Sequence, residues 1–161
     1  MRGGIVPPAL LFLALGLALA LTPRRALGPS LLALLVTLGA GALVRVPQTW
    51  LEGAFFACWV SVIVTAASVH IGRGLKARAA VALSINAAVW ASAVVSLSGT
   101  RLDLLKALPC VLVFLPASWV VRRYASIPVK VASSWVIAVA ILAAMLQLLP
   151  VTPGYLPDHM E

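Results

Sequence analysis

Residues 68–81 read SVHIGRGLKARAAV, a Gly-x-Gly-x-x-Ala pattern (Gly72, Gly74, Ala77) directly after a run rich in β-branched residues. Two folds compete for this stretch. In a nucleotide-binding α/β domain, Gly72 would follow a parallel strand and Gly74 would open a helix whose backbone amides cradle a pyrophosphate. In a helical membrane protein the same glycines form a turn between two spans, and Arg73, Lys76 and Arg78 anchor that turn in water. The flanks decide between them. No strand and helix alternation surrounds the pattern, and the apolar run from Gly53 to Ile71 is too long for an ordinary strand but fits a membrane helix.

Composition points the same way. The chain has 161 residues, 63% hydrophobic and only 10% charged, with a mean hydropathy of +1.10. Soluble domains carry about 25% charge, so a water-facing surface cannot be assembled from these residues. The expected fold is an all-α polytopic membrane bundle of about six helices forming one domain over 1–161, with no soluble domain. Six apolar segments run from Ile5 to Thr22, Ala26 to Val44, Gly53 to Ile71, Ala79 to Ser98, Leu102 to Val121 and Val129 to Leu149, each close to the roughly 20 residues that cross about 30 Å of hydrocarbon. Pro7, Pro8, Pro23, Pro47, Pro128 and Pro150 mark segment edges, where a missing amide removes few hydrogen bonds. Segment five is ambiguous: its uncharged part contains Pro109 and Pro116, so it either extends back through Lys106 and Asp103 or is a broken helix. Residues 150–161 read as a short exposed tail.

The distribution of cations gives an orientation. The loops after segments one, three and five hold Arg24, Arg25, Arg73, Lys76, Arg78, Arg122, Arg123 and Lys130, eight of the 12 Lys and Arg. The positive-inside rule places these anchors in the cytoplasm and both termini outside, in a plasma membrane or bacterial inner membrane. Segment one also resembles a signal peptide, with Ala18-Leu19-Ala20 as a cleavage site. Cleavage there would strand Arg24 and Arg25 on the outer side, against the charge bias. The net charge of +8 has no soluble basic face on which to bind nucleic acid; anionic lipid headgroups are the expected counter-charge.

Chemistry-bearing residues are sparse. Glu52 and Asp103 fall at segment edges, so no carboxylate lies deep in the bilayer to couple protons or cations. His70 stands alone at the end of segment three, short of the paired ligands of a haem or the three or four of a zinc site; it reads as an interfacial helix end or a proton-responsive group. His159, Asp158 and Glu161 in the tail are too sparse for a metal site. Cys58 and Cys110 lie in apolar segments outside any CxxC and read as small buried residues. No cofactor, metal or catalytic residue is expected, and the chain is not read as an enzyme, because no Ser-His pair, paired carboxylates or metal set can be assembled.

The interior does hold small polar residues at helical spacing. In segment three Ala57, Ser61, Thr65 and Ser68 share one face, and in segment four Ser84, Ala88, Ser92 and Ser96 recur every four residues. Such stripes let helices pack closely with hydroxyls bonded across the contact or back to their own helix. Alternatively they line a weakly polar solute path, with Asn86 the most polar side chain of segment four, on a face next to Ser84, and Gln147 in segment six. Gly39 and Gly41 permit close packing of segment two, and Trp59 and Trp90 lie deeper than Trp50, Trp119 and Trp135.

The order RRALGPSLLALLVTLGAG, then RVPQTWLEGAFF, a basic turn GRGLKARA and a late VVRRY is faintly similar to the membrane half of the fusaric-acid and aromatic-acid exporter family. The large cytoplasmic portion that often accompanies such exporters has no counterpart in this sequence. Two functions remain open: a small transporter or channel, or component of a transport system, moving a small solute along the face between helices three and four; and a non-catalytic accessory or assembly subunit of a larger membrane complex. Either would assemble as a homo-oligomer or with other membrane subunits.

Overall fold

The computed structural model describes residues 5–44, 46–71, 75–98 and 101–148, and among these it is helical without a strand. The elements are α1 (Val6–Ala20), α2 (Arg24–Gly41), α3 (Leu51–Ala67), α4 (Ala77–Ser98), α5 (Arg101–Ala107), α6 (Phe114–Tyr124) and α7 (Ile127–Leu148). Short 3-10 turns extend α3 at both ends, at Gln48–Trp50 and Ser68–His70, and a longer one, Leu108–Val113, joins α5 to α6. The expected turn at Gly72 and Gly74, with Arg73, and the tail from 149 onward lie outside the described residues.

Proline chemistry sets several of these boundaries. Pro7 and Pro8 occupy the first turn of α1, where the missing amides would have had no intrahelical partner. Pro23 precedes α2 in an extended conformation, and Pro47 does the same before the 3-10 turn that leads into α3. Segment five resolves as a broken helix that also extends back through Asp103 and Lys106: α5 carries both charges, the backbone tightens to 3-10 around Pro109, and α6 resumes the α-helix.

Helix α1 fills the centre. Leu11, Phe12, Ala14 and Leu15 are fully buried, and the helix packs against α3, α4, α6 and the Leu108–Val113 turn. It is apolar on every side, the composition of a helix with no water-facing stripe. Gly16 makes the approach possible. A Cβ there would lie 2.7 Å from the Val111 carbonyl oxygen and 3.3 Å from the Phe114 amide nitrogen, both backbone atoms that cannot turn aside.

The outer helices bury narrow stripes and expose aliphatic ones. In α2 only Ala26, Ser30, Leu34 and Leu38 are buried, one residue per turn, and that stripe meets α4, its main neighbour. Leu32, Leu35 and Val36 point outward from α2, as do Val131, Trp135 and Leu142 from α7. Among the described residues, four helical stretches are long and apolar enough to cross a membrane: Gln48–His70, Ala77–Leu97, Leu102–Tyr124 and Ile127–Gln147. The other two of the six expected spans meet that measure only in part. Helix α1 has 15 residues, about 22 Å at the helical rise, and α2 carries Arg24, Arg25, Pro29 and three glycines within its 18 residues.

Side-chain contacts fix how the helices run. Ser133 near the start of α7 meets Ala66 near the end of α3, so these two run antiparallel, and the short link from His70 to Ala77 makes α3 antiparallel to α4, with Asn86 meeting Ser61 midway. Gly41 touches Ser92, both in the C-terminal halves of their helices, so α2 and α4 are parallel. One end of the bundle thereby gathers Arg24, Arg25, Lys76, Arg78 and Lys130 at helix starts and Arg122 and Arg123 at a helix end. Glu52, Asp103 and Lys106 belong to the opposite end.

Candidate functional site

Of the small polar residues singled out in the sequence, Ser61 and Asn86 are the pair that the fold joins across helices three and four. The Asn86 amide nitrogen donates to Ser61 Oγ. They line a shallow groove of about 530 Å³ between α3 and α4, whose other walls are Phe56, Val60, Val64, Leu83 and Trp90 with two alanines. Asn86 is half-buried and Ser61 buried. The pair is polar, the groove around it is not.

The serine stripe of α4 turns away from α3. Ser92 packs against Gly41 of α2, where any Cβ would overlap the serine side chain. Ser92 and Ser96 line a separate cavity of about 660 Å³ among α2, α4 and α5, walled chiefly by leucines and valines. Gly39 borders that cavity, where an added Cβ would meet no described atom beyond its own helix within 4 Å; of the two glycines singled out in segment two, Gly41 alone makes a close contact. A helical period specifies which residues share a face but not which neighbour that face meets. Asn86, on a different face of the helix from Ser84, is the residue that reaches α3.

Most hydroxyls are held by their own helices. Ser84 donates to the Ala80 carbonyl at 2.9 Å, Ser68 to Thr65 at 2.6 Å and Ser96 to Ala93 at 2.8 Å. Ser92 donates to the carbonyls of Ala88 and Val89, at 2.8 and 2.9 Å. Bonds of this kind satisfy a hydroxyl in an apolar setting and leave the donor unavailable to a ligand. Thr65 differs: it is fully buried, and its Oγ1 has no partner among the described residues, nor has Trp59 Nε1.

His70 closes the C-terminal turn of α3, exposed, with Nε2 3.4 Å from Ser134 Oγ on α7. Ser134 in turn donates to the Lys130 carbonyl. The stronger tie between these helices was not singled out in the sequence: buried Ser133 donates to the Ala66 carbonyl at 2.6 Å. Its signal is weak, since Ser133 and Ser134 are adjacent and nothing in their spacing says which one faces a neighbour.

Among the described residues no group of three His, Cys, Asp or Glu side chains could hold a metal ion. Cys58 is buried and Cys110 half-buried, both as free thiols. No family model, curated protein or solved structure matches this chain.

Proposed function

We propose that the chain is an integral membrane protein of six spans that serves as a non-catalytic subunit of a larger membrane assembly. The position of α1 carries this reading. A channel or carrier needs a polar route or a bistable cavity along its axis, whereas Leu11, Phe12, Ala14 and Leu15 occupy the centre of this bundle without exposure. Ser68, Ser84, Ser92 and Ser96 are bonded to backbone carbonyls of their own helices. Outward-facing Leu32, Val36, Leu142 and Leu146 suit a surface covered by hydrocarbon or by other apolar helices. The cation-rich end then faces the cytoplasm of a plasma or bacterial inner membrane, with both termini outside, and the short α1 is sheltered by its neighbours.

Affinity purification in mild detergent tests the proposal: the chain is expected to leave the column with stoichiometric membrane partners or further copies of itself, identified by mass. A chain that purifies alone and monomeric sinks it. A second reading, transport of a small solute, is favoured by the Asn86–Ser61 pair in the α3–α4 groove. Replacing Asn86 by Leu separates the two. Transport predicts lost solute flux in reconstituted vesicles with assembly intact; the subunit reading predicts no specific flux from either form.

A further inference from the structure

We infer that the cytoplasmic end of α6 binds the phosphate of an anionic phospholipid, with the lipid's acyl chain running down the outer face of the same span. The inference rests on the membrane reading above and adds a specific site to it. Helix α6 ends in Trp119, Val120, Val121, Arg122, Arg123 and Tyr124. Arg122 is clipped to the helix: its Nε donates to the Ser118 carbonyl at 3.1 Å and its Nη2 to Ser118 Oγ at 3.4 Å. Arg123 is held differently, its guanidinium 6.0 Å from the centroid of the Trp119 ring. Tyr124 meets the same indole edge-on at 6.2 Å and 69°.

Two guanidiniums are thus oriented before any ligand arrives, one by hydrogen bonds and one by a ring face. A guanidinium carries five N–H donors, so Arg122 keeps some free, and the contact of Arg123 with the Trp119 ring is electrostatic and occupies no N–H donor in a hydrogen bond. Their fork geometry matches the oxygens of a phosphate. Both arginines are exposed, and the acidic residues among those described, Glu52 and Asp103, sit at the far end of the bundle. Lys130, in the first turn of α7, adds a third positive charge beside this end.

The surroundings select a lipid over free phosphate. Trp119 and Tyr124 are more than half exposed, the placement of aromatic rings at headgroup level. Below Trp119, Leu115 and Leu112 follow at near-helical spacing, exposed by 55% and 51%. The outer surface therefore offers cations, then aromatic rings, then aliphatic side chains, which is the order of an anionic phospholipid from headgroup to tail.

Native mass spectrometry of the full chain in mild detergent, with phosphatidylglycerol and phosphatidylcholine titrated in, reads the site directly. Wild-type protein is expected to retain phosphatidylglycerol over phosphatidylcholine by about tenfold. The Arg122→Gln/Arg123→Gln pair is expected to lose that preference, while Arg24→Gln/Arg25→Gln, removing equal charge at the same end, keeps it. Arg122→Lys/Arg123→Lys, which retains charge without the fork, should fall in between. The proposal is overturned if the two Gln pairs behave alike, which would mean a diffuse field, or if millimolar inorganic phosphate strips the lipid from the protein. Helicity by circular dichroism shows that each variant is folded, and Ser118→Ala, which frees Arg122 without altering charge, is expected to weaken retention independently. Alkaline extraction separates the two readings: protein released from membranes sinks the membrane reading, whereas protein retained in membranes without lipid preference sinks this inference alone.

Discussion

Gly16 and Thr65 mark opposite extremes of packing in the core. At Gly16 two backbones touch, so Gly16→Val must push α1 away from the Val111 carbonyl; a loss of about 1–3 kcal/mol is expected for such overpacking, measured by thermal unfolding in detergent. Thr65 presents a fully buried hydroxyl without a partner among the described residues. Thr65→Val keeps the shape and removes the unsatisfied group, so stability is expected to be unchanged or to rise by up to about 1 kcal/mol. A marked loss would mean that the hydroxyl is engaged by a group the fold has yet to reveal. The small-polar stripes were legible in the sequence at this scale, as was the burial of Cys58, whereas Cys110, also expected to be buried, is half-buried. Gly16 was not legible: in ALGLALA it looks like any small residue of an apolar run, and only the proximity of the 3-10 turn gives it a role.

At the scale of helices, connectivity and hydropathy settle order, while tertiary contacts settle neighbours. The six segments match the helices to within a few residues at most ends, because charges and prolines interrupt the apolar runs where the helices stop. The pairing of α4 with α2 was beyond reach, since both faces of α4 carry small residues and periodicity cannot rank them. Two variants probe the resulting contacts. Ser133→Ala removes the buried bond from α7 to the Ala66 carbonyl and should cost about 1 kcal/mol, whereas Ser134→Ala, whose hydroxyl is exposed, should cost little. Deleting residues 6–20 takes out the centre of the bundle, so the shortened chain is expected to aggregate or be degraded, with the readout in size-exclusion chromatography. Recovery of a monodisperse, helical product would show that α1 can be dispensed with as a leader would be.

For the whole molecule, the arrangement of cations predicts a sidedness. With Cys58 and Cys110 replaced by Ala, single cysteines placed at Ser126 or Lys76 should be shielded from an impermeant thiol reagent added outside intact cells. Cysteines at Gln48 or Leu102 should react. The opposite pattern would reverse the topology, and protection at all four positions would contradict a six-span arrangement.

The sequence by itself determined a helical chain whose apolar segments, charge clusters and turn prolines appear in the right order, since hydrophobicity and backbone chemistry are local properties that each residue carries wherever it sits. The flanks of the Gly-x-Gly-x-x-Ala at residues 72–77 were likewise legible as helices, and they are α3 with its 3-10 turn and α4. Only the tertiary structure decided that α1 lies at the centre, that Asn86 meets Ser61 while Ser92 meets Gly41, and that Arg122 and Arg123 are held beside Trp119. These follow from which faces come together, and in an almost uniformly apolar chain the free-energy difference between rival pairings rests on shape complementarity among small residues, which no single helix encodes.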